Sequence, residues 1–150
     1  MRALLDVNVL IALLDGGHIH HGLAMAWLED HTGYGWASCP ITQNGCIRIM
    51  SQPAYPGTLP TTQVAGRLME AANGPHHEFW PASVSLLDGK VFNWSLILGH
   101  RQVTDVYLLA LAVHYGGRLV SFDRRINLGA VKGATSSSWG RFIHANHFKH

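Results

Sequence analysis

Three aspartates lie at positions where their carboxylates could act together in a chemical reaction. Asp6 follows a short apolar run, Asp105 opens a strongly apolar segment, and Asp123 ends another apolar run. The whole chain has only nine acidic residues, so three at such junctions form a pattern. Each also has a simpler explanation, since Asp6 and Asp123 suit turns and Asp105 suits the first turn of a helix, where the dipole favours an acid.

Together, the three acids predict a metal site. Carboxylates brought close together repel one another by about 4 kcal/mol per pair at 4 Å with an effective dielectric near 20. A hard divalent cation offsets that repulsion, and Mg²⁺ binds one or two carboxylates together with waters and substrate phosphates. Such a site can orient a water and stabilise the charge that develops when a phosphodiester is cleaved.

Alternating strand and helix patterns supply the elements that would position these acids. The apolar runs predict strands over residues 3–5, 35–39, 79–81, 118–122 and 142–145. Helical patterns lie between them, over residues 9–14, 20–31, 42–50 and 61–73, and from Thr104 to the glycine pair at 116–117. Asn8 is the expected cap of the first helix, Pro40 precedes the third, Thr61 or Thr62 caps the fourth and Thr104 caps the last. A turn and a short helix are expected over residues 85–97. This order predicts a mostly parallel sheet covered on both faces, with its working site beyond the carboxyl ends of the strands.

Composition narrows the class of protein further. A chain of 150 residues with 47% hydrophobic content is expected to form one domain over 1–150. Its longest apolar stretch, residues 106–113, is far shorter than the roughly 20 residues of a membrane span, so we expect a soluble cytoplasmic protein. Cys39 and Cys46 lack a CxxC spacing and are expected to be reduced, buried thiols. The net charge of +2 permits an acidic partner without requiring one.

Four segments in this order resemble a PIN-domain nuclease, in particular the VapC-type toxins of bacterial toxin–antitoxin modules. They are LLDVNVLIAL, CPITQNGCIRIMS, FWPASVSLLD and VTDVYLLALAVHYGGRLVSFD. The resemblance implies a three-layer α/β/α fold with a central, mostly parallel sheet of about five strands. It further implies a homodimer, a VapB-like antitoxin as partner, and a toxin that hydrolyses RNA phosphodiester bonds as a Mg²⁺- or Mn²⁺-dependent endoribonuclease.

The resemblance also assigns roles to individual residues. By position, Asp6, Asp105 and Asp123 match three members of the acidic quartet of the family, which implies that they are catalytic and bind the metal. Asn8 matches a polar residue beside the first of these acids, and Thr104 matches the residue that precedes Asp105. Both are therefore expected to support the site.

Gln43 departs from the family pattern, in which the residue after "PIT" is usually glutamate. An amide has nearly the shape of a carboxylate but cannot act as a base, and losing a unit charge about 4 Å from a divalent ion removes several kcal/mol of attraction. Gln43 is thus predicted to occupy the place of a catalytic acid. Three explanations stay open: a weakened ribonuclease, a catalytically impaired protein that binds RNA or antitoxin, and a substitution introduced by an experimenter to silence the enzyme.

Other features have two explanations each. Five cations are candidates for contacts with RNA phosphates or are scattered surface charge: Arg48, Arg101, Arg124, Arg125 and Lys132. The histidines of residues 18–21 suggest zinc, but no matching ligand pairs follow, which favours a solvated segment. Trp139 and Phe142 suit either base stacking or the core, and we expect the core.

A phosphatase on a similar sheet is disfavoured because a second acid beside Asp6 and a well-placed lysine are missing.

Overall fold

Five short parallel strands form the central sheet of the computed structural model, which describes residues 1–122 and 125–141. The strands lie in the order β3-β2-β1-β4-β5. Their bounds are β1 Ala3–Leu5, β2 Trp36–Ser38, β3 His77–Phe79, β4 Arg118–Ser121 and β5 Trp139–Arg141. The main helices are α1 Val7–Leu14, α2 His21–His31, α3 Pro40–Met50, α4 Thr61–Ala72 and α5 Val103–His114. None of the helices in these ranges is long and apolar enough to cross a membrane.

Side-chain alternation along the central strands divides the core into two layers. In β1, Leu4 packs with α5 on one face of the sheet, while its neighbours Ala3 and Leu5 pack with α1 and α3 on the other. In β4, Leu119 and Val120 are divided in the same way. Because successive strand side chains point to opposite faces, these buried apolar residues require cover on both sides. The expected three-layer α/β/α arrangement is therefore confirmed.

The strand order creates a crevice beside β1. From β1 the chain adds β2 and β3 on one side, and it later adds β4 and β5 on the other. The register pairs Leu4 with Ala37 of β2 and with Leu119 of β4. In open parallel sheets, sites form outside the carboxyl ends of the strands where the order reverses. Here that point lies just beyond Leu5.

The predicted helix caps are wrong at three positions. Asp6, rather than Asn8, is the N-cap of α1, because its extended backbone (φ −61°, ψ 158°) directly precedes the first helical residue. Pro60 precedes α4, where a threonine cap was expected. Thr104 does not cap α5, because a 3-10 turn at His100–Gln102 runs directly into that helix.

Some element boundaries also differ from those expected. The third strand is His77–Phe79 rather than residues 79–81, because the last backbone bond to β2 joins the Trp80 amide to the Ser38 carbonyl (2.8 Å) and Pro81 has no N–H to continue the pairing. Within residues 85–97, a 3-10 turn at Trp94–Leu96 takes the place of the predicted short helix. The predicted strand over residues 142–145 lies outside the described residues, whereas β5 precedes it.

Both cysteines are buried and free, as expected. Burial raises the pKa of the Cys46 thiol to about 12. A thiol of this kind is protonated at neutral pH and is a poor nucleophile. The two cysteines therefore belong to the packing of the core.

Candidate active site

Asp6 is fixed between two elements at the carboxyl end of β1. Its Oδ1 accepts a hydrogen bond from the Val7 backbone amide (2.7 Å), and its Oδ2 accepts one from the Ser121 hydroxyl (3.0 Å). Its own backbone amide donates to the Val120 carbonyl (3.0 Å). The side chain is almost buried, with 7% exposure. The positive end of the α1 dipole favours a negative charge at this position.

Asp6 and Asp105 line the same open cleft of about 640 Å³. Asp105 is in the first turn of α5, and Thr104 beside it also faces the cleft. Thr104 contributes a hydroxyl group to the lining, and Asn8, in the first turn of α1, contributes an amide group. The structure thus brings together four of the residues that the sequence predicted for the site.

One face of α3 forms another part of the cleft lining. The residues of this face are Pro40, Ile41, Asn44, Gly45, Arg48 and Ile49. Their spacing of one, three and four positions is that of a single helical stripe. Arg48 is exposed and, with Arg101 from the turn before α5, places cationic side chains in the same cleft as the acids.

Gln43 lies off this stripe. Its amide nitrogen donates to the Ser38 hydroxyl at 3.0 Å, and it is not among the described residues that line the cleft. Successive residues of an α-helix are rotated by about 100°, so the side chain that follows it, Asn44, enters the cleft instead. The catalytic role predicted for Gln43 therefore stays a prediction.

Hydrogen bonds link Gln43 of α3 to Ser38 of β2 and Ser38 to His77 of β3. The buried Ser38 hydroxyl contacts the His77 Nε2 at 2.8 Å. Since the Gln43 amide donates to this hydroxyl, Ser38 has its own hydrogen available for His77, whose Nε2 then acts as the acceptor. Burial lowers the pKa of His77, against the opposing effect of its hydrogen bond to the Ala72 backbone. A neutral His77 is the form that this chain of hydrogen bonds accommodates.

The other predicted residues differ in where they lie. Asp123 and Arg124 are outside the described residues, so their predicted roles stay predictions. Arg125 is exposed but does not line the cleft. Lys132 borders a separate groove with Trp94. Trp139 packs against the core, as expected.

Two residues of the site were missed by the sequence argument. Ser121 ends the apolar strand β4 and donates to Asp6. A hydroxyl at the end of a buried strand is the signal that could have identified it. Asn44 is an exposed amide on α3, and its residue type gives no signal in the sequence that separates it from ordinary helix surface. The histidine-rich segment is locally satisfied, since His21 contacts the Ala12 carbonyl through Nδ1 (2.7 Å), and the described residues contain no cluster of three His, Cys, Asp or Glu placed to hold a metal.

A doubly wound parallel sheet with paired acids at its switch point defines an α/β protein with a carboxylate-lined cleft. The family model of the PIN domain matches residues 3–132. Ribonuclease VapC44 of Mycobacterium tuberculosis is 53% identical over 135 residues, which are 90% of this chain and 95% of that protein. Ribonuclease VapC39 of the same species is 42% identical over 134 residues, 89% and 96% of the two chains. The chain therefore belongs to the PIN-domain family and, within it, to the VapC group.

Solved structures agree with this fold. The chain is similar to VapC20 of Mycobacterium tuberculosis, described as a toxin that cleaves the sarcin-ricin loop, with a TM-score of 0.58, 13% identity and coverage of 81% of this chain and 89% of that one. It is also similar to a chain of VapBC2 from Rickettsia felis bound to a DNA fragment from its promoter, with a TM-score of 0.55, 16% identity and coverage of 82% and 89%. At these identities the likeness concerns the fold.

Proposed function

We propose that this chain is an RNA-cleaving toxin of a VapBC toxin–antitoxin module. The observation that carries the proposal is one cleft whose lining includes both Asp6 and Asp105 and both Arg48 and Arg101. Cationic side chains suit the phosphates of RNA. Carboxylates that can hold a divalent ion suit hydrolysis of a phosphodiester bond. The relatives described above are named ribonucleases, and VapC44 is 53% identical to this chain. Their names support the same activity.

The donor set of the cleft fits a hard divalent cation. The Asp6 and Asp105 carboxylates offer oxygen ligands, with amide and hydroxyl oxygens available from Asn8 and Thr104. Oxygen ligands of this kind suit Mg²⁺ or Mn²⁺ rather than softer metals. Asp123 is proposed as a third carboxylate on the basis of the family pattern. A bound ion would supply positive charge that offsets the anionic phosphate and promotes deprotonation of the attacking water.

The residues of the chain have distinct parts in this hydrolysis. A water oxygen forms the new bond to phosphorus, the ester bond to the leaving oxygen breaks, and that oxygen takes up a proton. Asp6, held by Val7 and Ser121, has a fixed orientation and can accept a proton or a hydrogen bond without reorganising. Arg48 and Arg101 hold phosphates on either side of the reacting group.

The remaining parts of the proposal concern assembly. We propose one PIN domain over 1–150, a homodimer, a VapB-like antitoxin as partner and a cytoplasmic location, where RNA is available. The alternative of an impaired protein that only binds RNA or antitoxin was motivated by Gln43. The Gln43 amide donates to the Ser38 hydroxyl, and RNA cleavage by the parent chain at a normal rate would exclude that alternative.

Charge removal at Asp6 tests the function. Asp6→Asn retains a residue that caps helices well but loses the carboxylate, so kcat on a defined RNA with Mn²⁺ should fall at least about 100-fold, equivalent to roughly 3 kcal/mol of transition-state stabilisation. Asp105→Asn should behave similarly, and EDTA should abolish cleavage by the parent.

Asp30→Asn is the matched control, because Asp30 is exposed on α2 and outside the cleft. It should cleave RNA at the parental rate. Circular dichroism of each variant verifies the fold. Cleavage by Asp6→Asn at the parental rate would show that this cleft is not the active site.

A further inference from the structure

Two consecutive amides on α3 face different parts of the molecule. Gln43 donates to Ser38 at 3.0 Å, whereas Asn44 is exposed and lines the acidic cleft. The rotation of about 100° between neighbouring helical residues separates them. Asn44 is therefore the amide of this pair that lines the cleft.

The amide at position 43 has a definite partner at the end of β2. Ser38 is fully buried, so its hydroxyl needs partners within the protein. It accepts from Gln43 and contacts His77 at 2.8 Å. A carboxylate at position 43 could only accept, and it would compete with His77 for the one hydroxyl hydrogen of Ser38. Gln43 is thus matched to the packing of α3 on β2 and β3.

The surroundings of Asn44 are those of an anion contact. Arg48 follows four positions later on the same face of α3, and Arg101 lines the cleft with it. The Asn44 side chain has no hydrogen-bond partner among the residues that the structure describes, so both donors of its amide are available. A carboxylate at this position would instead add negative charge beside Asp6 and Asp105 and repel a phosphate.

We propose that Asn44 positions the RNA backbone by donating from its side-chain amide to a non-bridging phosphate oxygen beside Arg48, and that Gln43 stabilises the fold. This inference rests on the proposed ribonuclease function. A contact made equally in the ground state and the transition state raises KM on removal and leaves kcat nearly unchanged. The split between KM and kcat therefore identifies the role.

Steady-state cleavage of one fluorescent RNA by paired amide variants tests the proposal. Asn44→Ala should raise KM about tenfold, the loss expected for a hydrogen bond to a charged group, with kcat within about twofold. Asn44→Asp should raise KM further, since it adds repulsion. Asn44→Ser keeps a donor and should recover part of the lost affinity.

Gln43→Ala is the comparison on the same helix. It should lower Tm by about 2 to 4 °C, as a loss near 1 kcal/mol does in a chain of this size, and leave KM at the parental value below the transition. Gln63→Ala, at an exposed position of α4, should change neither Tm nor KM. Calorimetric titration with Mn²⁺ in the absence of RNA should give the same Kd for Asn44→Ala and the parent.

Three results would overturn the inference. They are an unchanged KM for Asn44→Ala, a weaker Mn²⁺ affinity in that variant, and a larger KM for Gln43→Ala than for Asn44→Ala when both are folded. Its failure is separable from that of the function. An inactive Asp6→Asn together with a normal Asn44→Ala removes only this inference, whereas an active Asp6→Asn removes the ribonuclease site itself.

Discussion

At the scale of single residues, His77 links stability to pH. Burial is the main cause of its lowered pKa, and its Nε2 faces the Ser38 hydroxyl at 2.8 Å. The unfolded chain therefore binds a proton at His77 at a higher pH than the folded chain does. Above pH 6.5 both states are neutral at this residue and its contribution is fully present; as pH falls below 6.5, the unfolded state protonates first and the free energy of unfolding decreases.

Urea denaturation between pH 7.5 and 5.5 measures this contribution. The parent should lose more stability over that interval than His77→Gln, which removes the titrating group. His76→Gln, at the exposed neighbouring histidine, is the matched control and should lose as much stability as the parent. Parallel curves for the parent and His77→Gln would contradict the assignment.

Residue types and spacing led to Asp6 and Asp105, which line one cleft, whereas the catalytic role of Gln43 stays a prediction. Asp6 and Asp105 were found because they interrupt or open apolar segments, and such junctions fall at one edge of a parallel sheet. Gln43 was assigned to the site by the family pattern, in which the residue after "PIT" is usually glutamate. A match in sequence position does not specify the rotation about the helix axis, and a difference of one residue turns a side chain by about 100°.

At the scale of elements, the approach of α3 to α1 shapes the cleft. A Cβ added at Gly45 would lie 2.8 Å from the Val7 Cγ2. Alanine in a helix interior is ordinarily more favourable than glycine by about 1 kcal/mol. Here we expect Gly45→Ala to destabilise by about 1 kcal/mol instead, because overpacking of this kind typically costs about 1–3 kcal/mol.

A double-mutant cycle with Val7→Ala tests this contact. Val7→Ala removes the two Cγ atoms, so Gly45→Ala should become stabilising in that background, with a coupling of at least about 1 kcal/mol by urea denaturation. Equal effects of Gly45→Ala in both backgrounds would show that the two helices do not touch through this pair.

Element order was predictable, and element ends were less so. Long apolar periodicity predicted α5, and β4 was expected one residue longer than its observed Arg118–Ser121. The bounds of the third strand were predicted wrongly because its three residues are half-buried or exposed. They therefore lack the apolar pattern of a central strand. Their pairing with β2 depends on distant backbone, which a local pattern does not contain.

At the scale of the whole molecule, the small net charge does not reveal that charges of both signs line one cleft. The chain carries +2 overall, yet one cleft holds two carboxylates and two arginines. The low net charge gave no strong indication of a nucleic-acid partner. The fold creates the local contrast, because the switch point of the sheet gathers β1, α3 and α5 at one edge.

This layout predicts that a small number of charges controls the salt dependence of RNA binding. Each phosphate neutralised on a single strand contributes about 0.7 to the slope of log K against log salt concentration. In the Asp6→Asn background, which prevents cleavage, Arg101→Gln should reduce the slope by about 0.7. Arg67→Gln, on α4 where the guanidinium donates to the Leu14 carbonyl (3.3 Å), should leave it unchanged. A slope that falls for Arg67→Gln and not for Arg101→Gln would place the RNA on α4 rather than at the cleft.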